Sequence, residues 1–306
     1  MIMQAGDIAI DCKGLTKRYR GTREDALHDL TIQVKAGEIY GFLGPNGAGK
    51  STTIHTLMNF IQPTSGSATI CGLDIVRDSV AIKRHIGYLS GDSAMYPKMT
   101  GAQFLEYMGE LQPAASKAYK DDLIKRFKAE PHKPLGALSR GNRQKIGIVQ
   151  AFMHQPSVVI MDEPTSGLDP LMQEEFYELL SETRQRGAAV FSSSHILGEV
   201  QKMCDRVGII REGKLVTERS IADLAREAAQ TFDVVFKEKP PVTKLKQIKG
   251  VQETSVHGNT VTLHFHGELK PLLAELAQHD ILKLDTQNLD LEEIFLRFYK
   301  QNGGGK

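Results

Sequence analysis

Three short stretches of the chain are apolar without the alternation of a half-exposed strand: Ile39-Tyr40-Gly41-Phe42-Leu43, Val158-Val159-Ile160-Met161 and Ala188-Ala189-Val190-Phe191. Such runs predict strands buried on both faces, as in a parallel sheet covered by helices. Helical spacing follows the first, with Ile54, Leu57, Met58 and Ile61 on one face. Between Tyr96 and Leu138 the period is helical again. Phe104, Leu105, Met108 and Leu111 form one stripe, and Leu123, Ile124 and Phe127 another. Ile146, Ile148, Val149 and Phe152 mark a further helix.

The pattern changes near Glu218. After a Gly213-Lys214 hairpin, a linker helix is predicted over 218–230 through Ala222, Leu224 and Ala228. Thr231 to Lys237 then alternates as a strand, Pro240-Pro241 breaks it, and two strands, Val251–His257 and Thr260–His266, flank a Gly258-Asn259 turn. Helices are expected over Pro271–Gln278 and Leu291–Lys300, the latter with Asp290 and Glu293 at capping-box spacing. The order β, short α, β, β, α, β, α predicts a small α+β accessory domain over 231–301, a ferredoxin-like sandwich, followed by a disordered tail at 302–306.

Composition narrows the class. The 306 residues carry 38 Lys plus Arg against 37 Asp plus Glu, and ten of each sign lie between Thr231 and Lys306, so charge gives no reason to expect nucleic acid as a partner. No apolar stretch approaches the ~18 to 20 residues of a membrane span, and the start, Met1 to Asp7, has no basic region followed by an apolar one. The three cysteines, Cys12, Cys71 and Cys204, are widely spaced and expected to be reduced packing residues. His264 and His266 share a strand face without acidic or thiol partners at ligand spacing, and a surface pair is the expectation.

The candidate chemistry sits at the ends of the apolar runs. Residues Gly44, Pro45, Asn46, Gly47, Ala48, Gly49, Lys50 and Ser51 match the phosphate-loop pattern in its required place, after a strand and opening a helix that continues through Thr52. Consecutive backbone N–H groups and a helix N-terminus suit the phosphates of ATP or GTP. Lys50 suits the β and γ oxygens, and Ser51 a magnesium ion. The second run ends in Asp162-Glu163-Pro164, where one carboxylate can serve the magnesium shell and the next an attacking water. Ser139 is a predicted N-cap, and with Gly141 and Asn142 makes a second phosphate-binding helix terminus, expected to cap the γ-phosphate from another subunit. The third run ends at His195, a candidate γ-phosphate sensor.

Taken in order, the loop Gly44–Ser51, the segment Leu138-Ser139-Arg140-Gly141-Asn142, the acids Asp162-Glu163, the segment Ser166-Gly167-Leu168-Asp169 and His195 resemble the nucleotide-binding subunit of an ABC transporter, over roughly Ile8 to Val216. The resemblance implies an α/β fold of the P-loop NTPase class: a mixed sheet core with an antiparallel β subdomain and a helical subdomain at about 96–150, within a domain spanning 1–217. It also implies Glu163 as catalytic base and His195 as switch histidine. Ser51 and Asp162 would be magnesium ligands, Asp169 the residue linking two sites across a dimer, and Tyr19 the aromatic that stacks on adenine. The plainer reading of Tyr19 is a surface tyrosine at a strand end. The implied cofactors are ATP and Mg2+. The implied partners are a second nucleotide-binding subunit, as a homodimer, and membrane permease subunits, with the chain peripheral on the cytoplasmic face of the cell membrane.

Two positions depart from the family. Its LSGGQ signature here reads LSRGN, with Arg140 and Asn142 replacing glycine and glutamine. Gly91 stands where the family carries a glutamine, with Asp92 as the candidate substitute, and a glutamine restored at 91 is expected to be harmless. Both resemble a bacterial subgroup that drives exporters of drugs, antibiotics or polysaccharides. The expected function is therefore an ATPase powering a separate export permease. The alternative is a soluble ATPase of the same type acting on ribosomes or DNA.

Overall fold

The computed structural model describes residues 4, 6–91, 96–112, 116–227, 230–265 and 267–287. These divide after Arg219 into two compact units, each with its own apolar core.

The first unit opens with β1 (Ile8–Arg18) paired antiparallel to β2 (Asp25–Lys35). Next come β3 (Ile39–Leu43), buried at every position, and α1 (Lys50–Leu57). β4 (Ser65–Ile70) and β5 (Leu73–Asp74) complete an antiparallel sheet of order β2-β1-β4-β5. After α2 (Ser79–Lys83) and β6 (Ile86–Leu89), a helical stretch holds α3 (Gly101–Glu110), α4 (Lys117–Arg126) and α5 (Arg140–Phe152). The unit ends with β7 (Val158–Asp162), α6 (Pro170–Gln185), β8 (Ala189–Ser194), α7 (Leu197–Met203), β9 (Arg206–Arg211) and β10 (Lys214–Ser220).

The central sheet has the order β10-β9-β3-β8-β7-β6, and β9, β3, β8, β7 and β6 run parallel. Its middle strands are the three apolar runs, and Phe42, Ile160 and Phe191 on them share one buried core with Leu15, Leu30 and Ile32 of the antiparallel sheet. The register sets Leu43 beside Ser194 and Ser193 beside Asp162. The phosphate loop, the two acids and His195 thus leave one edge of the sheet together, the carboxyl edge where α/β proteins bind ligands. α4 is tied to α6 through Arg126, which reaches Glu175 at 2.9 Å, Glu182 at 2.9 Å and Glu178 at 3.4 Å.

In the second unit, α8 (Ile221–Glu227) precedes β11 (Gln230–Phe236), α9 (Val242–Gln247), β12 (Val251–His257), β13 (Thr260–Phe265), α10 (Lys270–Leu276) and β14 (Ile281–Gln287). From β11 onward this is β-α-β-β-α-β, and the antiparallel sheet has the order β12-β13-β11-β14, the ferredoxin-like arrangement. Phe232, Val234, Val261, Leu263 and Phe265 meet Leu245, Leu272 and Leu276 in its core.

Three expectations need correction. Residues 218–220 are strand, not linker helix: Glu212 and Gly213 both have positive φ, the tight hairpin turn that lets β10 run on, and the Ser220 hydroxyl accepts the Asp223 amide at 3.0 Å to start the helix only there. Ile61 lies beyond α1, because Asn59 at φ 53 closes that helix, the Phe60 amide bonding the His55 carbonyl at 2.8 Å and the Asn59 amide that of Thr56 at 3.0 Å. Leu111 caps α3 and is exposed, while Phe104 and Leu105 carry the buried stripe. The Leu291–Lys300 helix, the Asp290/Glu293 cap, the 302–306 tail and His266 lie outside the described residues.

Candidate functional site

The loop between β3 and α1 is shaped by where it runs. Gly49 has φ 108, and a Cβ there would stand 2.7 Å from the Ala26 carbonyl oxygen, so neither the backbone angle nor the space admits a side chain. Lys50, buried at the first position of α1, donates to the carbonyls of Gly44 at 2.7 Å and Pro45 at 3.1 Å. Burial pushes its ammonium down from the usual lysine range, while Glu163 and Asp162 act in the opposite sense.

Across the sheet edge the polar groups converge. The Ser51 hydroxyl donates to Asp162 Oδ2 at 2.7 Å. The Ser193 hydroxyl donates to Asp162 Oδ1 and accepts the Glu163 amide at 3.2 Å. Glu163 sits in the left-handed region, at φ 48, an unusual conformation for a residue with a Cβ. Its Oε1 lies 2.8 Å from His195 Nδ1. Behind these groups, Glu199 on α7 accepts the Thr165 hydroxyl through one oxygen and the Ser194 hydroxyl at 2.8 Å through the other, joining the loop after β7 to the end of β8. Tyr19 is exposed at the end of β1, with its hydroxyl 3.4 Å from Thr52 Oγ1 and Lys17 Nζ 5.5 Å from its ring centroid.

The signature segment forms a second polar cluster. Ser139 caps α5, its hydroxyl accepting the Asn142 amide at 3.2 Å, and Asn142 Nδ2 donates to Glu130 at 3.1 Å. The departure at Arg140 has a partner: its guanidinium donates to Ser166 Oγ at 2.8 Å. A Cβ on Gly141 would come within 2.5 Å of the Gly167 carbonyl oxygen, so the helix start rests directly on the loop after Glu163. Gln144 adds a 2.6 Å bond to the Pro164 carbonyl, and Lys145 stands 4.0 Å from Asp169, the N-cap of α6.

The geometry thus gathers Lys50, Ser51, Thr52, Tyr19, Asp162, Glu163 and His195 around one loop, and Ser139, Arg140, Gly141, Asn142 and Asp169 around another. Sequence reasoning missed Ser193 and Glu199. The run Ser192-Ser193-Ser194 before His195, in a strand otherwise apolar and wholly buried, was the available signal.

Residues 27–166 match the family model described as ABC transporter. An uncharacterized ABC transporter ATP-binding protein of Bacillus subtilis, YhcH, is 31% identical over 97% of both chains. The bacitracin transport ATP-binding protein BcrA of Bacillus licheniformis is 34% identical over 95% of this chain and 96% of its own. The chain belongs to the ABC transporter family, as an ATP-binding subunit. Among solved structures, an ATP binding subunit of an ABC transporter superposes with a TM-score of 0.66 at 28% identity, covering 72% of this chain and 92% of that one. The subunit is an ATPase, and its fold is the P-loop NTPase cassette.

Gly91 behaves differently from the expectation. A Cβ there would lie 2.9 Å from the Asp162 carbonyl oxygen, so a glutamine must displace the end of β7 on which both acids stand. Gly91→Gln is expected to cost about 1 to 3 kcal/mol of stability, as overpacking does, and to lower hydrolysis. A thermal melt with an ATPase assay checks this, and an unshifted melting point with undiminished turnover contradicts it. Asp92 lies outside the described residues. Among those described, no cluster of His, Cys, Asp and Glu suits a metal ion held by protein alone, and His264 is occupied by the Thr231 hydroxyl at 3.1 Å.

Proposed function

We propose that this subunit hydrolyses MgATP at sites shared head-to-tail between two copies, and so drives a separate membrane permease as an exporter. The observation that carries the chemical part is the juxtaposition of Ser51, Asp162, Glu163 and His195 at the mouth of the phosphate loop. Ser51 Oγ and the Asp162 carboxylate are hard oxygen donors held against each other, a set that suits magnesium. When bound, that ion supplies charge neutralisation at the β and γ oxygens.

On this reading the Lys50 ammonium exchanges the Gly44 and Pro45 carbonyls for phosphate oxygens. The Glu163 carboxylate takes a proton from the attacking water. His195, within hydrogen-bond reach of Glu163 Oε1, holds that carboxylate on the γ-phosphate side. Tyr19 offers its ring to adenine beside Thr52. Base-on-aromatic stacking supplies about 1 to 3 kcal/mol, so Tyr19→Ala is expected to weaken ATP binding about ten-fold. The Tyr19→Phe change should leave it nearly unaltered. Equal affinity in Tyr19→Ala and wild type, measured by titration, assigns Tyr19 to the surface.

No helix among the described residues is long and apolar enough to cross a membrane, in keeping with a partner that supplies the pore. Two relatives support export: BcrA is named for bacitracin transport, and YbhF of Escherichia coli, 32% identical over 73% of this chain, for multidrug transport. The subunit would then sit on the cytoplasmic face of the membrane. The test is to purify the tagged subunit from its native membranes, identify the co-purifying membrane protein and reconstitute both. ATP supplied on the subunit's side should move cargo to the opposite side. Movement towards the ATP side, or no co-purifying membrane protein, overturns the exporter reading.

A further inference from the structure

Three consecutive serines end β8, and each is buried. Their surroundings differ because successive residues of a strand face opposite ways. The Ser192 hydroxyl has no hydrogen-bond partner, and that of Ser194 is taken by Glu199. Of the three, Ser193 touches Asp162 at the end of β7 and the backbone of Glu163 that follows it. Its single proton goes to Asp162 Oδ1, and its oxygen accepts the Glu163 amide at 3.2 Å. The Ser193 carbonyl accepts that same amide, also at 3.2 Å. One residue thus fixes the carboxylate whose other oxygen receives the Ser51 hydroxyl, and braces the left-handed backbone from which Glu163 projects.

We propose that Ser193 is a positioning residue for ATP hydrolysis, its hydroxyl holding Asp162 and the Glu163 backbone in register with the phosphate loop. The inference rests on the roles given above to Asp162 and Glu163. Ser193 itself touches no substrate. Losing the hydroxyl frees Asp162 to rotate and leaves the Glu163 amide with the carbonyl alone, while the contacts of Lys50 and Tyr19 are untouched. Turnover and ion affinity should therefore suffer, and nucleotide affinity should not.

The test compares Ser193→Ala with Ser192→Ala, a deletion on the same strand that removes no hydrogen bond. Hydrogen bonds to charged groups are strong enough that Ser193→Ala should lower kcat about ten-fold or more, with KM for ATP within about two-fold. Manganese affinity in the presence of ADP, which does not turn over, should fall about five-fold when followed by electron paramagnetic resonance. Ser192→Ala should leave kcat and manganese affinity unchanged. Should Ser193→Ala fail to fold, Ser193→Thr and Ser193→Val repeat the comparison at equal volume, and only the threonine should retain turnover. Values in Ser193→Ala within about two-fold of wild type, an equal loss in Ser192→Ala, or equal behaviour of threonine and valine each overturn the proposal. Glu163→Gln, assayed alongside, separates the two levels. If it is inactive while Ser193→Ala is active, only the role of Ser193 fails; if it turns over normally, the underlying reading of Glu163 fails.

Discussion

Glu163→Gln is expected to abolish steady-state hydrolysis while leaving ATP affinity intact. The substitution keeps the side-chain length and an oxygen that can face His195 Nδ1, now 2.8 Å from Glu163 Oε1. It removes only the capacity to take a proton. General-base catalysis contributes about 10²- to 10⁴-fold, so kcat should fall by that factor, equivalent to roughly 3 to 5 kcal/mol in the barrier. The bonds of Lys50 and Ser51 are untouched, and a titration with a fluorescent ATP analogue should give the wild-type affinity. Because ATP then persists in the site, the variant should accumulate as an ATP-bound dimer, visible by sedimentation. Hydrolysis near the wild-type rate would remove Glu163 from the chemistry.

The path from sequence to this site was uneven, for physical reasons. The strands at its base were legible because burial on both faces imposes a continuous apolar run, and β3, β7 and β8 show it. The loop was legible because Lys50 and Ser51 follow its last glycine at a fixed distance. Support from Ser193 and Glu199 was not, since a serine in a strand or a glutamate in a helix has many surface readings, and only the register of β7 against β8 places Ser193 beside Asp162. Gly91 misled for a related reason. Its value lies in the missing Cβ against the Asp162 carbonyl, a contact between the segment after β6 and the end of β7 that no local pattern encodes. The accessory unit was legible as strand alternation and turns, but the start of the helix that precedes it was set three residues early. A hairpin of two positive-φ residues extends β10 to Ser220, past the point where helical spacing begins in the sequence.

Mixing two inactive variants is expected to restore activity, because the subunit carries one phosphate loop and one signature segment, each held by its own set of contacts. Among the described residues, the side-chain hydrogen bonds of Ser139, Arg140 and Asn142 go to the Asn142 amide, Ser166 and Glu130, none to the loop Gly44–Ser51. On the head-to-tail reading proposed above, a γ-phosphate in that loop meets Ser139 from a second copy. Lys50→Ala removes the cation of every site in its homodimer, and Ser139→Arg blocks every site in its own. In a mixed dimer one site pairs an intact Lys50 with an intact Ser139, and the other holds both lesions. Equal mixing makes about half the dimers mixed, so about a quarter of the wild-type sites should be competent, and ATPase should recover towards that level if one site turns over alone. Wild-type activity should also rise faster than linearly with protein concentration in the dilute range. Hydrolysis first order in protein at every concentration, together with no recovery on mixing, would mean that each chain builds its site alone. The contacts of Arg140 with Ser166 and of Gln144 with Pro164 would then serve only to hold the fold.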